Sequence, residues 1–171
     1  MTDVAHSAEL PPAREPGRYR IALVCLGNIC RSPMADVVLN ERVREAGLDD
    51  RVEVVSCGTG DWHVGQRMDH RAAATLASHG YDAEQHRAQQ FAASWSAEHD
   101  VLLAMDEQNL ADIGGRSERA RLFRDFDPVG TGGVVPDPYY GGDSGFEEVL
   151  TMVERTSDVI TAHLAQVVPE R

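Results

Sequence analysis

Residues 24–33 read Val24-Cys25-Leu26-Gly27-Asn28-Ile29-Cys30-Arg31-Ser32-Pro33, and the apolar run Tyr19-Arg20-Ile21-Ala22-Leu23-Val24 leads into them. The run has the length and composition of a buried parallel strand. Ser32-Pro33 then opens a helix, with serine as the expected N-cap and proline at the first helical position. A strand-to-helix loop of this kind points successive backbone N–H groups inward and adds the positive end of the helix dipole. Gly27 and Asn28 tolerate the left-handed conformations that such a nest needs. A cysteine and an arginine with five residues between them, spanning that loop, make a cradle for a phosphate. Cys25 stands at its base as a nucleophile, and the field that attracts an anion also stabilises its thiolate. Arg31 offers a planar fork to two phosphoryl oxygens, and the Ser32 hydroxyl is placed to reach the sulfur. Leu26, Gly27, Asn28, Ile29, Cys30 and Arg31 are the expected phosphate-binding positions.

Outward from this loop, strands and helices alternate. The first helix is expected to run through Met34, Val37, Val38 and Val43, with Gly47 as its C-terminal cap. Residues 51–56 read as a second strand, and the glycine-rich stretch from Gly58 to Gly65 carries Trp62. Asp69 caps a helix with Ala72, Ala73, Leu76 and Ala77 on one face, closed by Gly80. A third strand is expected over 100–105, a short helix ending at Gly114-Gly115, and a fourth strand over 121–123. After a loop containing Pro128, Pro136 and Pro138, the capping-box sequence Ser144-Gly145-Phe146-Glu147 opens the last helix. Its Phe146, Val149, Leu150, Val153, Ile160, Leu164 and Val167 fall on one face. The alternation implies an α/β fold, a parallel sheet with helices on both faces and right-handed crossovers. Ligands in such sheets bind beyond the carboxyl ends of the strands, where Cys25 sits. Residues 1–17 lack periodicity and are expected to form a flexible arm ahead of a single domain over 18–171.

The chain of 171 residues is long enough to bury a core without disulfides or metals. A net charge of −12 leaves no basic field with which to bind nucleic acid. All sixteen basic residues are arginine, which removes lysine as a catalyst, a Schiff base or a Walker-type phosphate ligand. Three cysteines, Cys25, Cys30 and Cys57, are an odd number and match no disulfide framework or zinc spacing, so at least one is a candidate reactive thiol. No apolar stretch approaches a membrane span and no signal-peptide pattern opens the chain. The expected setting is the cytoplasm, with no membrane partner.

A second block, Asp137-Pro138-Tyr139-Tyr140, completes a pattern. The segment from Val24 to Pro33 resembles the signature of the low-molecular-weight protein tyrosine phosphatases, and the second block resembles their Asp-Pro loop, in the same order. The resemblance extends over roughly residues 19–165. It implies a flavodoxin-like, three-layer fold with a four-stranded parallel sheet, and hydrolysis of phosphotyrosine in proteins without metal or cofactor. It also implies binding of inorganic phosphate and other oxyanions. Matched by position, Cys25 is the nucleophile and Arg31 binds the phosphate. Asp137 is the general acid that protonates the phenolic oxygen and then activates water against the cysteinyl-phosphate. Asn28 organises the loop with Ser56 and His86. The family commonly follows that histidine with Ala-Arg, where this chain has Arg87-Ala88. Trp62 forms one wall of the substrate cleft and Tyr139 and Tyr140 another. Such walls stack on a phenyl ring and make a slot too deep for phosphoserine. Cys30 pairs with Cys25 on oxidation and shields it from sulfinic acid.

Two other functions use the same loop. An arsenate reductase-like thiol enzyme relays a disulfide to further cysteines, and none follows Cys57. A non-catalytic phosphopeptide-binding module needs Arg31 and the loop amides, but neither Cys25 nor Asp137. The presence of both favours hydrolysis.

Overall fold

The computed structural model describes residues 9–140 and 143–168. Its elements run β1 (Tyr19–Cys25), α1 (Arg31–Glu45), β2 (Val52–Gly58), α2 (His70–Ser78), α3 (Trp95–Glu98), β3 (Val101–Ala104), α4 (Glu107–Asp112), β4 (Ala120–Leu122) and α5 (Asp143–Val167). The strands form one parallel four-stranded sheet in the order β2-β1-β3-β4. Successive β1 side chains point to opposite faces, as a strand requires. Tyr19, Ile21, Leu23 and Cys25 join the core beneath α1, α2 and α5, whereas Ala22 and Val24 join Leu110 and Ile113 on the α4 face. The result is the expected three-layer α/β architecture.

The sheet order decides where a ligand site can lie. From β1 the chain crosses to β2 on one side and then returns to β3 on the other. The carboxyl end of β1 therefore opens at the point where strand order reverses. Cys25 closes β1 there, in register with Gly58 at the end of β2. Helix α5 seals the layer behind the loop with Phe146, Val149, Leu150, Val153, Ile160 and Leu164, all buried. At roughly 2 kcal/mol of gross burial each, these side chains dominate its docking.

Several boundaries depart from expectation. Residues 9–17, expected to be loose, are docked: Leu10 is buried, and the Arg14 N–H donates to Asp100 Oδ1 at 2.7 Å. Asp100 anchors them because its other oxygen accepts the Arg20 N–H at 2.6 Å, tying this segment and β1 to one carboxylate. Residues 1–8 lie outside the described residues. Helix α1 starts at Arg31 with Cys30 as its N-cap, so Ser32 and Pro33 sit inside the first turn. The Ser32 hydroxyl is drawn to the sulfur of Cys25 instead of capping the helix. Phe123 leaves β4 to begin a 3₁₀ turn over Phe123–Phe126, fixed by the Leu122 N–H donating to Asp125 Oδ2 at 3.0 Å. Helix α5 begins at Asp143, which puts Ser144 in its first turn and not at the N-cap. The four residues of α3 are too few to show a helical period.

Candidate active site

The loop from Cys25 to Arg31 wraps one sulfur. The Asn28 N–H donates to Cys25 Sγ at 3.3 Å, and Ser32 Oγ lies 2.9 Å from the same atom. Asn28 holds φ at +58°, the one left-handed non-glycine residue among those described, and this turns the chain after it back around the sulfur. Because Cys30 makes no side-chain cap, the first amides of α1 are not occupied by one of its own side chains. The loop rests directly on β2: a Cβ at Gly58 would meet Leu26 O at 2.8 Å and Asn28 N at 3.0 Å.

Behind the loop, Asn28 is the hub of a polar network. Its Nδ2 donates to Ser32 Oγ at 2.9 Å and to Ser56 Oγ at 3.0 Å, and its Oδ1 accepts the Gln89 N–H at 2.9 Å. His86 Nε2–H donates to the Asn28 carbonyl at 2.7 Å, which sets the ring tautomer. Burial pushes the His86 pKa down, so the neutral imidazole is favoured. The Arg87-Ala88 sequence is accommodated because Arg87 turns back onto the carbonyls of Glu84 and His86, away from the hub. Ser56 Oγ–H donates onward to Asp36 Oδ2 at 2.9 Å. Burial raises the Asp36 pKa to about 6 against the opposing hydrogen bonds from Ser56 and Asn40. The Asn28 side chain lies behind the loop on Ser32 and Ser56, and its backbone N–H is the group that faces the sulfur.

Arg31 is 4 % exposed in its side chain and held from three segments. Nη1–H donates to Asp106 Oδ2 at 2.7 Å and to the Val135 carbonyl at 3.1 Å, and Nη2 lies 3.6 Å from Asp137 Oδ2. Burial pulls its pKa down, but Cys25, Asp106 and Asp137 together outweigh this and raise it. Asp137 is 31 % exposed in its side chain and accepts the Tyr139 N–H at Oδ1, 3.0 Å away. Asp106 escaped the sequence reading. Its other oxygen accepts the Asn109 N–H at 2.8 Å as the N-cap of α4, the role its position before a helix suggests. The available signal was its place at the carboxyl end of β3, as Cys25 ends β1.

Cys25, Leu26, Gly27, Ile29, Cys30, Arg31, Trp62, His63, Asp137 and Tyr139 surround a cleft of about 440 Å³. Trp62 is 66 % exposed and not a core residue, and Tyr139, 40 % exposed, lines the same cleft with its ring beneath the Arg71 guanidinium. The Tyr140 side chain lies outside the described residues. His63 lines the cleft beside Gly27, though no motif singled it out. Burial, with Asp69 and Cys25 adding, pushes the Cys30 thiol well up, so it stays protonated. The three cysteines are free thiols. Ser32, Ser56 and His86 touch the loop from behind and do not line the cleft.

A thiol at the floor of an amide nest, with a buried guanidinium and a carboxylate opposite, defines a class: a cysteine-based site for phosphate monoesters. The family model described as low molecular weight phosphotyrosine protein phosphatase matches residues 20–169. The chain is 46 % identical over 161 residues to the low molecular weight protein-tyrosine-phosphatase of Streptomyces coelicolor, covering 90 % of this chain and 98 % of that one. It is 46 % identical over 139 residues to low molecular weight protein-tyrosine phosphatase A of Mycobacterium tuberculosis, covering 78 % and 84 %. A crystal structure of a protein tyrosine phosphatase from Entamoeba histolytica, with Hepes in its active site, superposes with a TM-score of 0.81. It is 29 % identical and covers 86 % of this chain and 97 % of its own. The chain belongs to the low-molecular-weight phosphotyrosine protein phosphatase family.

Proposed function

We propose that this chain hydrolyses phosphotyrosine in proteins through a cysteinyl-phosphate intermediate. The observation that carries the reading is the convergence on Cys25 Sγ of the Asn28 amide and the Ser32 hydroxyl, with Arg31 and Asp137 closing the same cleft. Nη1 of Arg31 is committed to Asp106 and Val135, which aims the rest of the fork at two phosphoryl oxygens. Cys25 attacks phosphorus, forming an S–P bond as the phenolic oxygen leaves with the pair from the broken P–O bond. Asp137 protonates that oxygen. The resulting Asp137 carboxylate takes a proton from water, which attacks phosphorus and releases phosphate, and the electron pair of the S–P bond returns to Cys25. Ser32 donates to the sulfur as it leaves.

Trp62 and Tyr139 favour an aromatic ester by stacking on the ring. Backbone amides and Arg31 supply the positive charge that a metal would otherwise provide, so the reaction runs without one. The site binds inorganic phosphate and other oxyanions in the same cradle. A reducing compartment such as the cytoplasm suits a reaction that depends on a free thiol.

The test is hydrolysis of p-nitrophenyl phosphate and of phosphotyrosine and phosphoserine peptides, with and without chelator. Wild-type enzyme is expected to release phosphate from the aryl ester and the phosphotyrosine peptide, and to ignore chelator. Cys25→Ser should abolish turnover, and Asp137→Ala should slow it and trap phosphoprotein substrates. An inactive wild type whose phosphopeptide binding survives Cys25→Ser would favour a binding module and overturn the proposal.

A further inference from the structure

Asp137 lies on a solvent-facing segment in which no strand or α-helix is formed, yet its carboxylate must meet a leaving oxygen within hydrogen-bond distance. The segment between Asp127 and Val135 contains a device capable of fixing it. Arg124 Nη2–H donates to the Val129 carbonyl at 3.0 Å and Nη1–H to the Val134 carbonyl at 2.8 Å, so one guanidinium spans both ends of the turn Gly130-Thr131-Gly132-Gly133. Its Nε–H donates to Asp127 Oδ2 at 2.7 Å, and Arg155 spans that buried carboxylate, Nε–H donating to Oδ1 at 2.7 Å and an Nη2–H to the same Oδ2 at 3.0 Å. The Gly132 N–H returns to the Arg124 carbonyl at 3.0 Å.

Two glycines leave the room this needs. A Cβ at Gly130 would stand 2.5 Å from Arg124 Nη2, and one at Gly133 would stand 2.9 Å from Nη1. The turn is shaped around the guanidinium. Val129 and Val134 are exposed, so apolar burial does little to hold them. The clasp passes its position forward in two steps. Val135, next to the clasped Val134, donates its N–H to the Met105 carbonyl at 2.8 Å and offers its own carbonyl to Arg31 at 3.1 Å. Asp137 follows two residues later. At the far end the Tyr139 carbonyl accepts Arg71 Nη2–H at 3.0 Å.

We infer that Arg124 is a positioning residue for the proton donor: by clasping residues 129 and 134 it holds Asp137 over the phosphate cradle. The inference rests on Asp137 acting as the general acid. Arg124 touches neither the cleft nor the phosphate loop, and without it Arg31 keeps its bond to Asp106 and Val135 its bond to Met105, so its loss should affect protonation of the leaving group far more than oxyanion binding. Lysine cannot replace it, because a point charge does not bridge two carbonyls as the planar fork does.

The experiment compares kcat/KM, which reports steps through departure of the phenol, for a poor leaving group (phenyl phosphate) and a good one (a polyfluorinated phenyl phosphate). Arg124→Ala and Arg124→Lys are expected to lower the value for phenyl phosphate by about 10- to 100-fold and for the fluorinated ester by less than about threefold. Competitive inhibition by inorganic phosphate should stay within about twofold of wild type. Equal losses on both esters, weakened phosphate inhibition, or no loss on either would overturn the inference. If Arg124→Ala fails to fold, Arg124→Lys and Gly133→Ala, whose methyl group would meet both Arg124 Nη1 and the Gly130 carbonyl at 2.9 Å and so disturb the clasped turn, give the same readouts. Asp137→Ala is the control: if it shows no leaving-group dependence, the general-acid reading fails, whereas dependence in Asp137→Ala without it in the Arg124 variants removes only the clasp.

Discussion

Ser32 Oγ sits 2.9 Å from Cys25 Sγ while accepting a hydrogen bond from Asn28 Nδ2, also at 2.9 Å, from the other side. A hydroxyl has one proton, and an oxygen that already accepts from Asn28 directs that proton elsewhere. The sulfur at 2.9 Å is the nearer acceptor, and the Cys57 carbonyl at 3.3 Å the alternative. In the proposed mechanism this network directs a donor to the sulfur as the phosphate leaves.

Ser32→Ala should slow breakdown of the cysteinyl-phosphate more than its formation. A hydrogen bond to a charged group is worth about 1.5–3 kcal/mol, so kcat is expected to fall by about 10- to 100-fold, with a smaller change in kcat/KM. Rapid-quench measurement should show a burst of phenol near one per enzyme. A linear time course with kcat and kcat/KM falling together would count against this role.

Asn28→Ala removes the hub and leaves a β-carbon in the left-handed region. Loss of the bonds to Ser32, Ser56 and the Gln89 amide is expected to cost about 2–4 kcal/mol in denaturant melts and to weaken phosphate inhibition. Asn28→Gly accepts φ of +58° without strain and should recover about 1 kcal/mol of that loss while leaving phosphate binding impaired. Equal stability of the two variants would show that the backbone conformation contributes nothing.

Asp36 makes stability depend on pH. Its pKa is raised to about 6 in the folded protein from an ordinary 3.8, so the native state binds the proton more tightly than the unfolded chain does. The stabilisation by that proton is complete below about pH 4 and is lost as pH rises through about 6, an effect of at most about 3 kcal/mol. Asp36→Asn should flatten this part of the profile and raise the melting temperature at pH 7.5, less whatever is lost at Ser56. Identical pH profiles for wild type and variant would refute the assignment.

Cys30 lines the cleft with Cys25 and stays a neutral thiol. Mild peroxide should oxidise Cys25 to a sulfenic acid, which Cys30 then captures as a disulfide with loss of water. Activity is expected to return with dithiothreitol in the wild type and to be lost irreversibly in Cys30→Ser. Mass spectrometry of non-reduced peptides should find the Cys25–Cys30 link, and its absence with full recovery in both proteins would exclude the mechanism.

The strands around Val24, Val54 and Leu103 were legible because apolar runs of strand length and their punctuation are local signals. The start of α1 was misplaced by the same local logic. Ser-Pro reads as a cap, but Ser32 is engaged by Cys25 and Asn28, contacts that exist only once the loop has closed on the end of β2. Asp106 was missed because its capping function, the legible one, conceals the contact with Arg31 across 75 residues.

By itself the sequence determined the chemistry on offer: a cysteine and an arginine on one strand-to-helix loop, a later Asp-Pro, and an alternation that demands a parallel sheet. These follow from spacing along the chain, where helix and strand periods act within a few residues. Only the tertiary structure decided how the groups are aimed. Arg31 is oriented by Asp106 and Val135, Cys25 by a hub that reaches Ser56 and Gln89, and the loop bearing Asp137 by Arg124. Those partners stand far apart in sequence, and only the β2-β1-β3-β4 order brings the ends of β1, β2 and β3 to one edge of the sheet.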